Sequence, residues 1–194
     1  MFLKEKEDRR SASLLDSGKS LLLVIDAQEK FHSAIHDLEQ VGWQIAVLAK
    51  AAARLGIPAI ASEQYPKALG STLVEIQSAL PSGTVVFSKT AFSAFDVNEW
   101  VEAVRASKKT QFILCGVEAH VCVLQTALDL IQNLEGQVYV VEDAVSSRKA
   151  SDKQTALRRL ESNGAQTVTT EMVLFEWLRQ AGTSEFKEIQ GLIK

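Results

Sequence analysis

The stretch QFILCGVEAHVCVLQTALDLIQNL, residues 111–134, carries both halves of a strand-to-helix unit. Gln111–Leu114 is a short apolar run that continues to Gly116, and His120–Leu134 has the three-to-four spacing of a helix, with Gly136 as its stop signal. A continuous apolar run, as opposed to an alternating one, fits a strand covered on both faces. The same unit recurs on either side. Further strands are expected at Leu21–Ile25, Ile57–Ala61, Thr84–Phe87, Gln137–Val141 and Gln166–Val168. Helices are expected at Glu39–Leu55, Val97–Ala106, Ser151–Ser162, with Ser151 as N-cap and Asn163-Gly164 as the stop, and Thr170–Ala181. The pattern predicts an α/β protein: a three-layer α/β/α sandwich with a six-stranded parallel sheet and right-handed crossovers.

Residues 1–18 are expected to be an N-terminal tail and 19–194 a single domain, since no linker, repeat or low-complexity tract interrupts the alternation. Met1–Arg10 is charged and lacks the apolar segment of a secretory signal. At the other end, Phe186, Ile189 and Ile193 suggest a short helix docked on its own body or on a neighbouring subunit. The formal charge of −3 lacks the basic excess that counters a phosphate backbone, so nucleic acid is not expected as a partner. The apolar runs are too short to cross a bilayer, which excludes a membrane role. The two cysteines, Cys115 and Cys122, match no common zinc-ligand spacing and read as reduced thiols in a cytoplasm.

In open parallel sheets ligands bind at the carboxyl ends of strands, so polar residues there come first. Asp26 follows LLLVI directly, where it could serve chemistry or cap the next helix. Lys89 ends VVFSK, where lysines are often simply solvated. Cys122 falls in the first turn of the helix after Gly116, where amides and the helix dipole favour a thiolate. Beside an Asp and a thiol, the Lys89 ammonium would favour the same thiolate. Cys115 lies inside its strand and reads as core. His32 and His36 are spaced as a pair on one helix face without a zincin glutamate. His120 stands two residues before Cys122 and could orient a substrate or cap the helix. Glu118, so near the thiol, is expected to be salt-bridged or turned away, unless it contacts substrate.

Taken together, strand–Asp26, strand–Lys89 and GVEAHVC ending at Cys122 resemble the isochorismatase-like hydrolases, a nicotinamidase-related superfamily with a Rossmann-like fold, in the same chain order. DAQEKF at 26–31 resembles the family's D-x-Q-x-x-F opening, and VEDAVSSR at 141–148 its fifth strand and following loop. SEQYPKALG, KTAFSAF and FKEIQGLIK look most like the isochorismatase domain-containing proteins. Two features separate the chain from other branches. It reads ASEQYP at 61–66 where metal-dependent nicotinamidases carry Asp-x-His, so no metal and no cofactor are expected. It keeps a cysteine that enol-ether-cleaving isochorismatases generally lack.

The resemblance implies that Asp26 takes the thiol proton, Lys89 holds thiolate and carboxylate in register, and Cys122 forms a covalent intermediate that water releases. It further implies a cis peptide at Val117–Glu118, with the backbone amides of Glu118 and Cys122 as oxyanion donors, and an assembly of dimers or larger homo-oligomers. Phe31, Tyr65, Phe92, Phe95 and His120 are the candidate substrate contacts, although each of the four aromatics could equally be core. The expected activity is hydrolysis of a small amide, carbamoyl or related acyl compound. Enol-ether hydrolysis and non-catalytic small-molecule binding stay open as alternatives.

Overall fold

The computed structural model describes residues 10–194 and contains one six-stranded, all-parallel sheet in the order β3-β2-β1-β4-β5-β6. The strands are β1 (Ser20–Ile25), β2 (Ala59–Gln64), β3 (Val85–Lys89), β4 (Gln111–Val117), β5 (Gln137–Ser146) and β6 (Gln166–Val168). The helices are α1 (Leu38–Leu55), the short α2 (Pro66–Leu69) and α3 (Val74–Gln77), α4 (Asn98–Ala106), α5 (Leu124–Asn133), α6 (Ala150–Ser162), α7 (Thr170–Leu178) and α8 (Ser184–Gln190).

Strand β1 shows why the sheet is central. All six of its residues are buried: Leu22 and Val24 join the core under α1, α7 and α8, while Leu21, Leu23 and Ile25 join the core under α4, α5 and α6. The two-residue period thus sends a continuous apolar run to both faces. Each such side chain contributes about 1.5–3 kcal/mol by leaving water. Helix α1 stops at Gly56, whose φ of 67° lets its amide turn back to the carbonyls of Ala52 and Ala53.

The chain order runs outward from β1 to β3, then returns to β4 on the other side of β1. The carboxyl ends of β1 and β4 therefore border the crevice where strand order reverses. At this point β4 passes so close to β1 that a Cβ on Gly116, which has φ +123°, would stand 1.9 Å from the Ile25 carbonyl oxygen. Only glycine fits there.

Three expectations need correction. Residues 1–9 of the expected tail lie outside the described residues; of the remainder, residues 11–14 are exposed but the segment is anchored at Arg10 and Leu15. Leu15 is fully buried, and the Arg10 guanidinium donates to the carbonyls of Leu15 and Glu176, both at 2.6 Å. An apolar side chain with room in the core does not stay in solvent. Ser151 does not cap α6, whose N-cap is Lys149 with no side-chain bond, because the helix begins one residue earlier. The pair His32 and His36 shares no helix, since α1 begins only at Leu38; His36 instead meets Asp37 at 2.9 Å on the surface. The C-terminal helix docks on its own chain, burying Ile189 and pairing Glu185 and Glu188 with Arg54 of α1.

Candidate active site

Asp26 is the residue after β1, held at φ 49° with its amide bonded to the Ser62 carbonyl at 3.0 Å. Aspartate tolerates this left-handed backbone better than most side chains, and it turns the carboxylate off the strand end. Lys89 closes β3, two strands away. Its Nζ meets Asp26 Oδ2 at 2.6 Å, and neither side chain has any solvent exposure. The same ammonium donates to Gln64 Oε1 at 2.7 Å, Phe92 O at 2.9 Å and Ala91 O at 3.1 Å. Three N–H bonds shared among four acceptors fix the charge in place. A buried ion pair of this kind persists only when its remaining hydrogen-bonding capacity is met, as here.

Cys122 reaches the pair from β4 through a wide, π-type turn over Ala119–Val123 that precedes α5. The Val117–Glu118 peptide in this connection is cis. The Glu118 carbonyl accepts from the amides of Val121 at 3.0 Å and Val123 at 3.2 Å, so the intervening Cys122 amide is not spent on it. Wide turns of this kind recur at functional positions because they re-aim one side chain within a helix start.

The thiol is 6% exposed, and it lies near enough to Asp26 and Lys89 for both to act on its proton. Burial pushes it up from the ordinary value of 9.0 to about 12, the Asp26 charge adds to the rise, and Lys89 pulls it down less strongly. The expectation of a resting thiolate is thereby overturned. Lys89 is already paired with Asp26, and the loss of water outweighs what is left of its field. Cys115, fully buried in β4, is pushed up further still by burial alone.

Around the trio the structure places other residues. Glu118, 8% exposed at its side chain, pairs with Arg148 at 3.1 Å, as the sequence led one to expect. His120 Nδ1 meets Ser147 Oγ at 3.0 Å and so ties the turn that carries Cys122 to the loop after β5. Tyr65 and Phe92 are more than half exposed beside Gln64 and Lys89, at the rim. Phe31 and Phe95 are partly buried and pack one against each of the two cores. Among the described residues, no group of three or more His, Cys, Asp and Glu side chains is gathered as a metal-binding set. Two surface depressions, one lined by His32, Asp37 and Trp43 and the other by Leu14, Met172 and Phe175, contain none of the trio.

Sequence reading missed Ser62, Gln64 and Gln28. Ser62 Oγ donates to Asp26 Oδ1 at 2.7 Å. Gln28, fully buried, braces the Gln64 backbone from both sides, with contacts of 2.7 Å and 3.1 Å. The signal was present in ASEQ: two polar residues two apart at the carboxyl end of a buried strand face the same side.

Comparison with known proteins agrees with this geometry. The model of the isochorismatase domain matches residues 20–172, which include all three residues of the trio. The chain belongs to the isochorismatase family. A Danio rerio member, isochorismatase domain-containing protein 2, is 40% identical over 184 residues, 92% of this chain and 89% of its own length. A Phytophthora sojae member named as a secreted isochorismatase effector is 37% identical over 179 residues, 90% of this chain and 84% of its own. Among solved structures, the MAR1 ribonuclease of Caenorhabditis elegans is 38% identical with a TM-score of 0.88, covering 93% of this chain and 92% of that one. This isochorismatase-family chain therefore has the family's hydrolase fold, and no described helix is long and apolar enough to cross a membrane.

Proposed function

We propose that the protein is a metal-independent cysteine hydrolase of a small amide, carbamoyl or related acyl compound. The observation that carries this reading is the wholly buried Lys89–Asp26 pair with the Cys122 thiol beside it. A neutral thiol needs a base at the moment of attack, and a fixed carboxylate is that base. The Cys122 proton passes to Asp26 as sulfur bonds to the carbonyl carbon, and the C=O electron pair moves onto oxygen. That oxyanion is met by the Glu118 and Cys122 amides; one such donor is worth about 3 kcal/mol of barrier. The intermediate collapses, the leaving amine takes the proton from Asp26, and a thioester remains. Water then gives its proton to Asp26 and its oxygen to the acyl carbon, releasing the acid and restoring the thiol.

Support for a site without metal comes from its donors: the strand β2 end presents Ser62 and Gln64, both committed to the ion pair, where a divalent ion would want imidazole or carboxylate. Tyr65, Phe92 and His120 would contact the substrate at the rim. A thiol suits an electrophilic carbon, which sets amide-type chemistry above enol-ether cleavage. The C. elegans relative's name puts RNA on the test panel, but a formal charge of −3 gives little attraction for a polyanion. Homo-oligomers fit the exposed Met172 and Phe175 on α7, and a cytoplasmic setting fits two free cysteines.

Turnover of a panel of small amides, carbamoyl compounds, enol ethers and RNA tests the reading. The expected result is hydrolysis of a carbonyl compound that Cys122→Ala abolishes, with a mass adduct on Cys122 lighter than the substrate by its leaving group. Undiminished hydrolysis by Cys122→Ala would overturn it.

A further inference from the structure

The turn that carries Cys122 begins at Glu118, and the loop after β5 brings Arg148 beside it, so a carboxylate and a guanidinium meet at the carboxyl ends of two neighbouring strands. Their match is incomplete. Arg148 Nε stands 3.1 Å from Glu118 Oε2, yet its N–H is not aligned on that oxygen, which is buried and has no hydrogen-bond partner among the described residues. The Glu118 side chain is 8% exposed and that of Arg148 64% exposed. One member is thus a buried acceptor with capacity to spare, and the other a fork of donors that reaches into solvent. An orphaned buried acceptor is costly to keep, which points to a partner that arrives from outside. The loop is fixed at both residues before Arg148: Ser146 Oγ donates to the His36 carbonyl at 2.6 Å, and Ser147 Oγ meets His120 Nδ1 at 3.0 Å.

A ligand group that enters here meets both charges. A carboxylate would gain Arg148 but face Glu118, and an ammonium would gain Glu118 but face Arg148. A neutral group that carries both an N–H and a carbonyl suits the two together, its N–H donating to Glu118 Oε2 and its oxygen accepting from the Arg148 guanidinium. Resting on the cysteine-hydrolase reading above, we propose that Glu118 and Arg148 form a polar subsite for a second, uncharged amide or ureido group of the substrate. Asp26 and Lys89 end strands on one side of β4, and Arg148 follows the strand on its other side, so a substrate that reaches both spans the carboxyl end of β4. The substrate is then a small compound with two amide-like groups, one attacked by Cys122 and one held by the pair, in place of a simple alkyl amide, an amino amide or an amide acid.

Binding to the Cys122→Ala protein, followed by ligand-observed NMR titration, tests the subsite without turnover. The probes share one primary amide and differ only at the other end: succinamide, butanamide, succinamic acid and β-alaninamide, which carry there an amide, a methyl, a carboxylate and an ammonium. Succinamide is expected to bind about tenfold tighter than each of the others, the effect of one added hydrogen bond to a charged group. Adding Arg148→Gln should shift the preference to β-alaninamide, because Glu118 then stands alone, and adding Glu118→Gln should shift it to succinamic acid, because Arg148 does. Side chains needed only for folding would weaken all the probes together. Arg148 is largely exposed, so its variant decides the matter even where Glu118→Gln does not fold. Equal binding of the probes, binding of none, or a loss in Arg148→Gln that is the same for all would each overturn the proposal. Turnover that survives Cys122→Ala would take down the underlying cysteine reading instead, whatever the order of binding.

Discussion

At Cys122 the burial that shields the thiol from water also withholds its negative charge, and the neighbouring carboxylate strengthens that effect. Modification of this residue should therefore climb steadily with pH toward about 12, and remain faster than at fully buried Cys115 at every pH. Peptide-resolved alkylation between pH 6 and pH 11 would check this, and a plateau near neutrality would show a thiolate already formed. Lys89→Met is expected to cost about 3–5 kcal/mol of stability, because it leaves the Asp26 carboxylate buried without its cation. Combining it with Asp26→Asn should restore a good part of that loss, measurable by denaturant unfolding of the single and double variants. The trio was legible because Asp26 ends the buried run of β1, Lys89 ends the short apolar run of β3, and Cys122 sits in the turn after the buried strand β4. Its protonation was not legible, since it depends on how much water the closed site excludes and on whether Lys89 is already engaged. Neither quantity has a sequence pattern.

The strands and long helices were legible from periodicity, and their observed bounds differ mainly at the carboxyl ends of strands. There β2 runs on to Gln64 and β5 to Ser146, beyond their apolar runs, because polar side chains at the crevice keep the ladder while serving the site. The wide turn at Ala119–Val123 had no such signal; helical spacing through His120–Leu134 looks the same with or without one extra residue in the first turn. The feature on which the site most depends is the close approach of β4 to its neighbour β1 at Gly116. Gly116→Ala is expected to cost about 3 kcal/mol or more, since its Cβ would meet backbone at 1.9 Å in a conformation few side chains adopt. Gly164→Ala makes the fitting control: φ is +98° there, but no atom stands within 4 Å of the added carbon, so only the conformational cost of about 1 kcal/mol applies. Equal losses in the two variants, read from urea midpoints, would show that the close approach to Ile25 is not what matters.

For the whole molecule, the two buried thiols make stability depend on alkali. In the unfolded chain each ionises near its ordinary value of 9.0, whereas in the folded protein Cys122 stays protonated to about 12 and Cys115 beyond it. The folded form thus binds more protons across this window, and a group with a raised folded value stabilises fully below the unfolded value and ever less above it. Buried Tyr139, also raised by burial, acts in the same direction at higher pH. Raising the pH from 8 to about 10.5 should lower the unfolding free energy by about 2 kcal/mol for each thiol. Cys115→Ala should start from lower stability, because it leaves a small cavity, yet lose less of it over the same interval. Cys122→Ala should behave likewise, and the double variant should show the flattest profile. Urea unfolding at a series of pH values measures all four slopes, and a double variant as alkali-sensitive as the natural protein would assign the effect to groups other than the thiols.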